Sequence, residues 1–196
     1  MLSAIVLAAG ESRRVCPYIK ALMPIERSTF LERIVGCLFG APVDEVVVVL
    51  GARHVEILEK VLLGEAAVLI NEDWERGQLS SLRLGVSHLS PASEGALVTL
   101  VDHPLVRGST YEILIAAWRE HPDRIVVPTY AGVNGHPVLF PRRLYGPLLR
   151  SELPRGARDL LGREEGNLVR VPVDDPGTVQ DIDTPEDYRR MIGELP

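Results

Sequence analysis

The stretch LSAIVLAAGESRR, residues 2–14, decides the fold of this chain. Residues 2–7 form an apolar run that predicts a buried strand, and residues 8–10 are the small residues Ala-Ala-Gly. Cations follow at positions 13 and 14 and again at Lys20. Small residues let backbone N–H groups approach a ligand, and Arg and Lys neutralise its charge, so the pattern indicates a phosphate-binding loop after the first strand.

Two familiar phosphate-binding motifs differ from this pattern. The P-loop has Gly-Lys-Ser/Thr adjacent at the end of the loop, whereas Lys20 stands ten residues beyond Gly10. The GxGxxG fingerprint of dinucleotide-binding proteins does not occur in the sequence. A dinucleotide-dependent oxidoreductase is therefore disfavoured.

Length, charge and cysteine content limit the classes of protein to which this chain can belong. A length of 196 residues is usual for one domain, so we expect a single domain over residues 1–196. The net charge of −6 disfavours nonspecific binding to nucleic acid, and a polyanion would have to bind through a local basic loop. Two cysteines, Cys16 and Cys37, make neither a disulfide framework nor a metal cluster. No signal-type segment or long apolar run occurs, so we expect a cytoplasmic protein that does not bind a membrane.

Strand and helix patterns alternate along the chain. Strands are predicted over residues 2–7, 45–50, 67–70, 96–101, 124–127 and 168–173. Helices are predicted over residues 29–39, 54–63, 79–89, 109–118, 144–149, 157–161 and 185–192. The second helix would carry four apolar residues on one face, Val55, Leu58, Val61 and Leu62. Alternating elements with continuously apolar strands predict an α/β fold whose mainly parallel sheet is covered on both faces.

Ligands in such sheets bind beyond the carboxyl ends of the strands. The small-residue loop follows the first strand, and Asp102 follows the strand over residues 96–101, so both are expected at the same edge. Residues 181–187, DIDTPED, supply a second acidic patch, in which Asp181 and Asp183 are both candidates. Nucleotide-bound Mg²⁺ takes one or two protein carboxylates plus phosphate oxygens, which two such aspartates would provide. The alternative for the second patch is a helix start with an N-cap and an acidic first turn.

Residues 71–82, NEDWERGQLSSL, are a further candidate wall of the site. Gly77 permits close backbone approach to a ligand. Ser80 and Ser81 either bond the edge of a base or cap the following helix. Ser109 or Thr110 is the expected cap of the next helix along the chain.

Residues 132–137, GVNGHP, are the last candidate segment. Asn134, Gly135 and His136 either line a pocket for a polar acceptor or belong to a plain turn. We expect a hairpin around Asn134-Gly135 or a glycine-bounded loop leading into a short strand.

The motifs together resemble a known enzyme family. LAAGESRR followed by Lys20 is similar to the form LAAGxSxRMGxxK of the nucleotidyltransferases that make molybdenum cofactor dinucleotides. The segments WERGQLSSLRLG, LVDHPLV, VPTYAGVNGHPVLFPR, RGARDLL and VPVDDPGTVQDIDTPEDY extend the likeness over residues 2–188. The chain departs at residues 15–19, where Val15-Cys16 replaces Met-Gly and Lys20 stands one residue later. Ala9 in LAAG resembles the cytidylyl branch, because the guanylyl branch usually carries LAGG.

This resemblance implies a three-layer α/β/α sandwich around a mainly parallel, Rossmann-like sheet of the nucleotide-diphospho-sugar transferase type. It implies transfer of CMP from CTP to the phosphate of a molybdopterin-type cofactor, with release of pyrophosphate and with Mg²⁺ or Mn²⁺ as cofactor. A molybdoenzyme or its chaperone is the implied protein partner. Two alternatives stay open: the same chemistry on a sugar or polyol phosphate, and a non-catalytic nucleotide-binding or chaperone-like protein.

The resemblance also implies roles for individual residues. The catalytic residues are Arg14, Lys20 and Asp102. The nucleotide-binding residues are Leu7, Ala8, Ala9, Gly10, Ser12, Arg13, Lys20, Gly77, Ser80 and Ser81. The acceptor-binding residues are Asn134, Gly135 and His136. The metal ligands are Asp102 and Asp183.

Overall fold

The computed structural model describes residues 1–195, so Pro196, the last residue of the expected domain, lies outside it. The strands in this range are β1 (Leu2–Ala8), β2 (Pro24–Ile25), β3 (Ser28–Thr29), β4 (Glu45–Leu50), β5 (Ala67–Ile70), β6 (Gly95–Leu100), β7 (Ile125–Tyr130), β8 (Val133–Asn134), β9 (Val138–Pro141) and β10 (Leu168–Pro172). The α-helices are α1 (Phe30–Gly40), α2 (His54–Leu58), α3 (Gln78–His88), α4 (Gly108–Glu120), α5 (Tyr145–Arg150), α6 (Ala157–Arg163) and α7 (Pro185–Met191). None of these helices has the length and apolar character that crossing a membrane requires.

A mixed, mainly parallel sheet forms the centre of the structure. Its strand order is β10-β7-β9-β6-β1-β4-β5, and β8 pairs with β7. The pairs β1–β4, β1–β6, β4–β5 and β7–β10 are parallel, whereas β9 runs antiparallel to β6 and β7. The predicted α/β fold is confirmed, and the carboxyl ends of β1, β4 and β6 meet at one edge.

The alternation of side chains along β1 shows how the sheet is covered. Ala4, Val6 and Ala8 face one apolar cluster, to which α1 and α4 contribute. Ile5 and Leu7 face a second cluster on the opposite side, with α3, α5 and α6. Both faces are buried, which explains why the strand is continuously apolar in sequence. The predicted three-layer sandwich is confirmed.

Capping boxes begin two of the helices. The predicted box of α1 is present: Thr29 Oγ1 accepts from Glu32 N at 3.2 Å, and Glu32 Oε2 accepts from Thr29 N at 2.9 Å. Helix α7 begins with the same arrangement between Thr184 and Asp187. Each box satisfies N–H groups that the helix itself leaves free.

The second helix is shorter than predicted. It ends at Leu58 rather than at residue 63, and Val55, Leu58 and Leu62 are exposed. The backbone N–H of Leu62 donates to Glu32 Oε1 at 3.0 Å, so this part of the chain bonds to α1 instead of continuing the helix. The prediction of one common apolar face over residues 54–63 is therefore wrong.

The predicted caps of α3 and α4 are also wrong, because their hydroxyls have other partners. Gly77 is the N-cap of α3, and Ser80 and Ser81 instead accept hydrogen bonds from the Asn71 side chain. Arg107 precedes α4, and Thr110 Oγ1 donates to the buried Asp175 Oδ2 at 2.6 Å.

The hairpin after β7 turns earlier than predicted. Ala131 and Gly132 both have positive φ, 49° and 81°, and form the turn between β7 and β8. Asn134 lies in β8 opposite Thr129, and Gly135 follows the strand. Gly132 adopts this left-handed backbone freely, whereas the Cβ of Ala131 makes it cost about 1–2 kcal/mol there. The Asn-Gly pair lies after the turn.

Candidate active site

A cavity of about 620 Å³ opens at the carboxyl ends of β1 and β6. Its lining comprises residues 7–15, 19–21, 57, 74, 75, 77, 78, 81, 100–102 and 183. Twelve of the residues predicted from the sequence are therefore brought together: Leu7, Ala8, Ala9, Gly10, Ser12, Arg13, Arg14, Lys20, Gly77, Ser81, Asp102 and Asp183. Four predicted residues lie outside the lining: Ser80, Asn134, Gly135 and His136.

Ser12 closes the loop that follows β1. Its backbone is left-handed, with φ of 62°, and its Oγ accepts from Lys20 N at 2.9 Å. Between these two residues, Val15 is fully buried in an apolar cluster with Phe30 and Ile182. The segment that departs from the family's usual form is thus anchored in a core, and it returns Lys20 to the cavity.

The end of β4 fixes the small-residue part of the same loop. Ala52 N donates to Ala9 O at 3.1 Å. A Cβ at Gly51 would lie 2.7 Å from Ala9 O and 2.7 Å from Trp74 Cβ. Only a residue without a side chain fits there, so Gly51 lets Ala9 and Trp74 approach each other closely.

An ion cluster lies at the mouth of the cavity. Lys20 Nζ is 2.6 Å from Asp183 Oδ1 and 3.7 Å from Asp102 Oδ2. Arg14 contacts the other oxygen, Asp183 Oδ2, also at 2.6 Å. Burial raises the pKa of Asp183, but Lys20 and Arg14 outweigh that effect and hold the pKa below its ordinary value. Asp183 is therefore the anion that joins Arg14 and Lys20.

The two C-terminal aspartates differ in their position relative to the cavity. Asp183 lines the cavity, whereas Asp181 is exposed and outside the lining. Thr184, the residue after Asp183, provides the N-cap of α7. The Asp183 carboxylate therefore remains directed at Lys20 instead of capping the helix.

Asp102 has an unused oxygen. Its Oδ1 is buried and has no hydrogen-bond partner within the described residues. His103 Nε2 is 3.8 Å away, beyond hydrogen-bond distance, while Asp102 O accepts from Ile182 N at 2.8 Å. A buried carboxylate oxygen without a donor, with a second carboxylate around the same ammonium, fits a divalent cation.

A further part of the lining comes from the segment between β5 and α3 and from the first turn of α3. Gly77 has φ of 92°, which places Gln78 and Ser81 in the lining. Ser80 Oγ is turned away, within 2.8 Å of Gly77 O. Ser81 and Ser80 are thus separated in position, although the sequence does not distinguish them.

The predicted acceptor residues lie to one side of the cavity. The rings of His103 and His136 are 5.0 Å apart, so His136 reaches the neighbourhood of Asp102 through His103. His136 Nδ1 is buried without a hydrogen-bond partner in the described residues. Burial, followed by the charges of His103 and Arg158, lowers the pKa of His136 to about 3. The ring is therefore neutral at pH 7.

Sequence reasoning missed Trp74, Gln78 and Arg158. Trp74 and Gln78 line the cavity and belong to the segment 71–82. The prediction for that segment was based on its glycine and serines alone. Arg158, near His136, belongs to the RGARDLL segment, which carried part of the resemblance.

Comparison with known proteins agrees with this geometry. The sequence profile of the MobA-like NTP transferase domain matches residues 4–168. The chain belongs to this family. It is thus a nucleotidyltransferase, and the MobA-like match includes the loop after β1 and Asp102 but ends before Asp183.

Curated relatives of this MobA-like chain carry different activities in their names. It is 28% identical to the nicotine blue oxidoreductase of Paenarthrobacter nicotinovorans, with 97% of this chain and 96% of the relative covered. It is 25% identical to the molybdenum cofactor cytidylyltransferase of Escherichia coli K12, with 95% and 93% covered.

Solved structures share the whole MobA-like fold. Rv0371c of Mycobacterium tuberculosis H37Rv is 30% identical with a TM-score of 0.87, covering 97% of this chain and 96% of that one. A complex of Rv0371c with manganese is 29% identical with a TM-score of 0.81, covering 97% of each chain. A nucleotidyl transferase of Methanothermobacter is 25% identical with a TM-score of 0.83, covering 98% and 96%. The fold is that of the nucleotide-diphospho-sugar transferases.

Proposed function

We propose that this nucleotidyltransferase transfers CMP from CTP to the phosphate of a molybdopterin-type cofactor and releases pyrophosphate. The observation that carries the proposal is the ion cluster, in which Lys20 Nζ contacts Asp183 and lies near Asp102 beside the loop of residues 8–10. A small-residue loop with cations suits the triphosphate. The two carboxylates suit the cation that accompanies it.

This reaction does not require the protein to form a covalent bond with either substrate. The acceptor phosphate is already a nucleophile and attacks the α-phosphorus, and the bond to the β-phosphate breaks with its electron pair leaving on pyrophosphate. Catalysis then rests on positioning and charge stabilisation. The backbone of residues 8–10, with Ser12 and Arg13, holds the nucleotide, while Arg14 and Lys20 neutralise its phosphates.

Asp102 and Asp183 hold Mg²⁺ or Mn²⁺ in this proposal. When bound, the ion supplies charge neutralisation to the phosphates. Within the described residues, no group of three or more His, Cys, Asp and Glu side chains has metal-binding geometry, which suits an ion that takes its remaining ligands from the nucleotide. The relative that binds manganese supports a divalent cation in this fold.

Cytosine is the proposed base, and its basis is Ala9. In this proposal the Ala9 methyl narrows the space under the base. A pyrimidine, which has one ring, tolerates this better than a purine, which has two. Gly77 and Ser81 border the base, with Ser80 supporting Ser81 from outside the cavity. Shape alone discriminates by about 1–3 kcal/mol, so hydrogen bonds to the base edge add to the preference.

The acceptor is proposed to lie beside His136, with Asn134, Gly135 and the exposed Arg158 around it. Arg158 supplies positive charge for an anionic acceptor. In this proposal residues 1–196 act as one cytoplasmic domain, and the product passes to a molybdoenzyme or its chaperone. A sugar or polyol phosphate is the alternative acceptor.

Pyrophosphate release, measured with each nucleoside triphosphate and with or without each acceptor, tests the proposal. We expect release that needs CTP, the pterin acceptor and Mg²⁺ together, and a higher kcat/KM for CTP than for GTP in direct competition. Pyrophosphate release with a sugar or polyol phosphate, and none with the pterin acceptor, would show that the alternative acceptor is the substrate. A GTP preference would overturn the base assignment and leave nucleotidyl transfer intact.

The nicotine blue oxidoreductase relative makes an oxidoreductase the second candidate. The absence of GxGxxG counts against a Rossmann dinucleotide site, and the Lys20–Asp183 pair serves phosphate transfer without needing a redox cofactor. Oxidation of NADH or NADPH in the presence of quinone-like dyes, followed by absorbance, distinguishes the two. Nucleotide binding without any turnover would instead indicate a non-catalytic binding protein.

A further inference from the structure

The side chain of Asn71 is a buried hub at the end of β5. Asn71 is 5% exposed, and its backbone N–H donates to Leu50 O at 2.7 Å. Its Oδ1 accepts from Asp73 N at 3.0 Å, and its Nδ2 donates to Ser80 Oγ at 2.8 Å and to Ser81 Oγ at 2.9 Å. A backbone N–H can only donate, so the atom facing Asp73 is the amide oxygen and the nitrogen faces the serines.

The two serines use this amide differently. Ser80 Oγ also lies 2.8 Å from Gly77 O and 3.1 Å from Asp73 O, so its proton goes to a backbone carbonyl. Ser81 is 3% exposed, and Asn71 Nδ2 is the hydrogen-bond partner of its Oγ in residues 1–195. Ser81 therefore accepts one hydrogen bond and keeps its proton for the cavity that it lines.

We infer that Asn71 is a positioning residue that makes Ser81 a hydrogen-bond donor to the nucleotide base. The amide fills one lone pair of the Ser81 hydroxyl and fixes its orientation, and the hydroxyl proton has no acceptor among the described residues, so an acceptor on the base edge can take it. The O2 carbonyl and N3 of cytosine are acceptors of this kind. Asn71 itself lies outside the lining of this cavity and acts through Ser81. The inference rests on the proposed function, because it takes the cavity to be the nucleotide site.

Asn71→Asp tests the direction of this hydrogen bond. Asp has the shape of Asn, and one oxygen still accepts from Asp73 N, but the second oxygen can only accept. The Ser81 proton then turns to position 71, and Ser81 faces the base as an acceptor. Isothermal titration calorimetry on the full chain, at fixed Mg²⁺, gives Kd for CTP and for tripolyphosphate. We expect the Kd for CTP to rise about tenfold and the Kd for tripolyphosphate to stay unchanged.

Ser81→Ala is the second variant and adds no charge. It is expected to weaken CTP binding to a similar extent, and Asn71→Asp in the Ser81→Ala background is expected to add nothing, because the two act as one unit. Ser87→Ala is the matched control, since Ser87 lies on the exposed side of the same helix with its Oγ on Leu84 O. It is expected to bind CTP as the wild type does.

The outcomes separate this inference from the proposed function. If the wild type binds no nucleoside triphosphate, both fail. If the wild type binds CTP and Asn71→Asp or Ser81→Ala binds it equally well, the inference alone is overturned. Equal losses for CTP and tripolyphosphate, or additive losses in the double variant, also overturn it, because Asn71 would then support the fold and not the Ser81 hydroxyl. Should Asn71→Asp fail to fold, the CTP-specific loss in Ser81→Ala decides.

Discussion

Lys20 Nζ lies 2.6 Å from Asp183 Oδ1, although 163 residues separate the two in the chain. The same ammonium is 3.7 Å from Asp102 Oδ2, so three distant segments meet at one cation. Asp102 O also accepts from Ile182 N, which ties the segment before α7 to the end of β6. The ion cluster therefore links three distant segments of the chain and is also the centre of the proposed site.

Lys20→Ala is expected to lower kcat/KM for nucleotidyl transfer far more than it lowers stability. Removing one positioned charge from such a site costs about 2–4 kcal/mol of transition-state stabilisation. Lys20 is ion-paired rather than free, so we also expect a small loss in the free energy of unfolding, since Arg14 still compensates Asp183. Pyrophosphate release and urea unfolding measure the two effects.

Lys60→Ala is the matched control, because Lys60 is exposed and outside the cavity lining. It is expected to keep wild-type activity. A Lys20→Ala enzyme with an unchanged rate would remove Lys20 from the transfer reaction.

Asp102→Asn and Asp183→Asn are each expected to raise the Mg²⁺ concentration needed for half-maximal activity. Asn keeps the shape and one acceptor oxygen but removes the charge that binds the cation. Asp174→Asn is the control, since Asp174 is exposed outside the lining. Full activity of both first variants at limiting Mg²⁺ would contradict the assignment, and metal titration with direct binding measurement checks it.

The stability of the chain is expected to depend on pH through His136. Its pKa is about 3 in the folded state, below its usual 6.5, because of burial and the charges of His103 and Arg158. A depressed pKa means that the stabilising effect of the neutral ring is complete above pH 6.5 and is lost as the pH falls towards 3. The unfolding free energy of the wild type should fall as the pH is lowered from 6 to 4, and His136→Gln should reduce this slope by about 1 kcal/mol per pH unit.

Urea unfolding at several pH values measures this slope. His88→Gln is the control, because His88 is exposed at the end of α3. Identical slopes for His136→Gln and the wild type would show that His136 takes up protons equally easily in the folded and unfolded chains.

Gly135→Ala is expected to lower the free energy of unfolding by about 1–3 kcal/mol, because overpacking displaces neighbouring backbone. A Cβ at Gly135 would lie 2.3 Å from Thr178 O. Gly162→Ala in α6 is the control: its Cβ meets nothing within 4 Å, and alanine favours the helix by up to about 1 kcal/mol. Thermal or urea unfolding that shows equal stability for Gly135→Ala and the wild type would contradict the close contact.

Sequence patterns predicted the sheet better than they predicted the helix ends. The apolar runs of β1 and β4 mark strands buried in the sheet, so their positions follow from the residues themselves. The end of α2 depends on Glu32, which bonds Leu62 from another helix. The missing hydroxyl cap of α4 depends on Asp175, which is far along the chain and accepts from Thr110. Such partners are not visible in a local pattern.

The site was predictable where one segment carries it and not where several meet. The loop from Leu7 to Lys20 follows its strand directly, so its place in the cavity follows from β1. Ser80 and Ser81 are neighbours with the same chemistry and both accept from Asn71 Nδ2, and they differ only in the folded chain, where Ser80 Oγ meets backbone carbonyls. The pairing of Lys20 with Asp183 requires the whole chain to fold and leaves no local signature.

The ion cluster also imposes an order on folding during synthesis. Translation delivers Arg14 and Lys20 before Asp183, from which more than 160 residues separate them. Until then neither cation has that partner, and Asp102 lacks its bond from Ile182. The nascent chain can thus assemble the central strands of its sheet first, whereas the ion cluster forms only after the segment around Asp183 has left the ribosome.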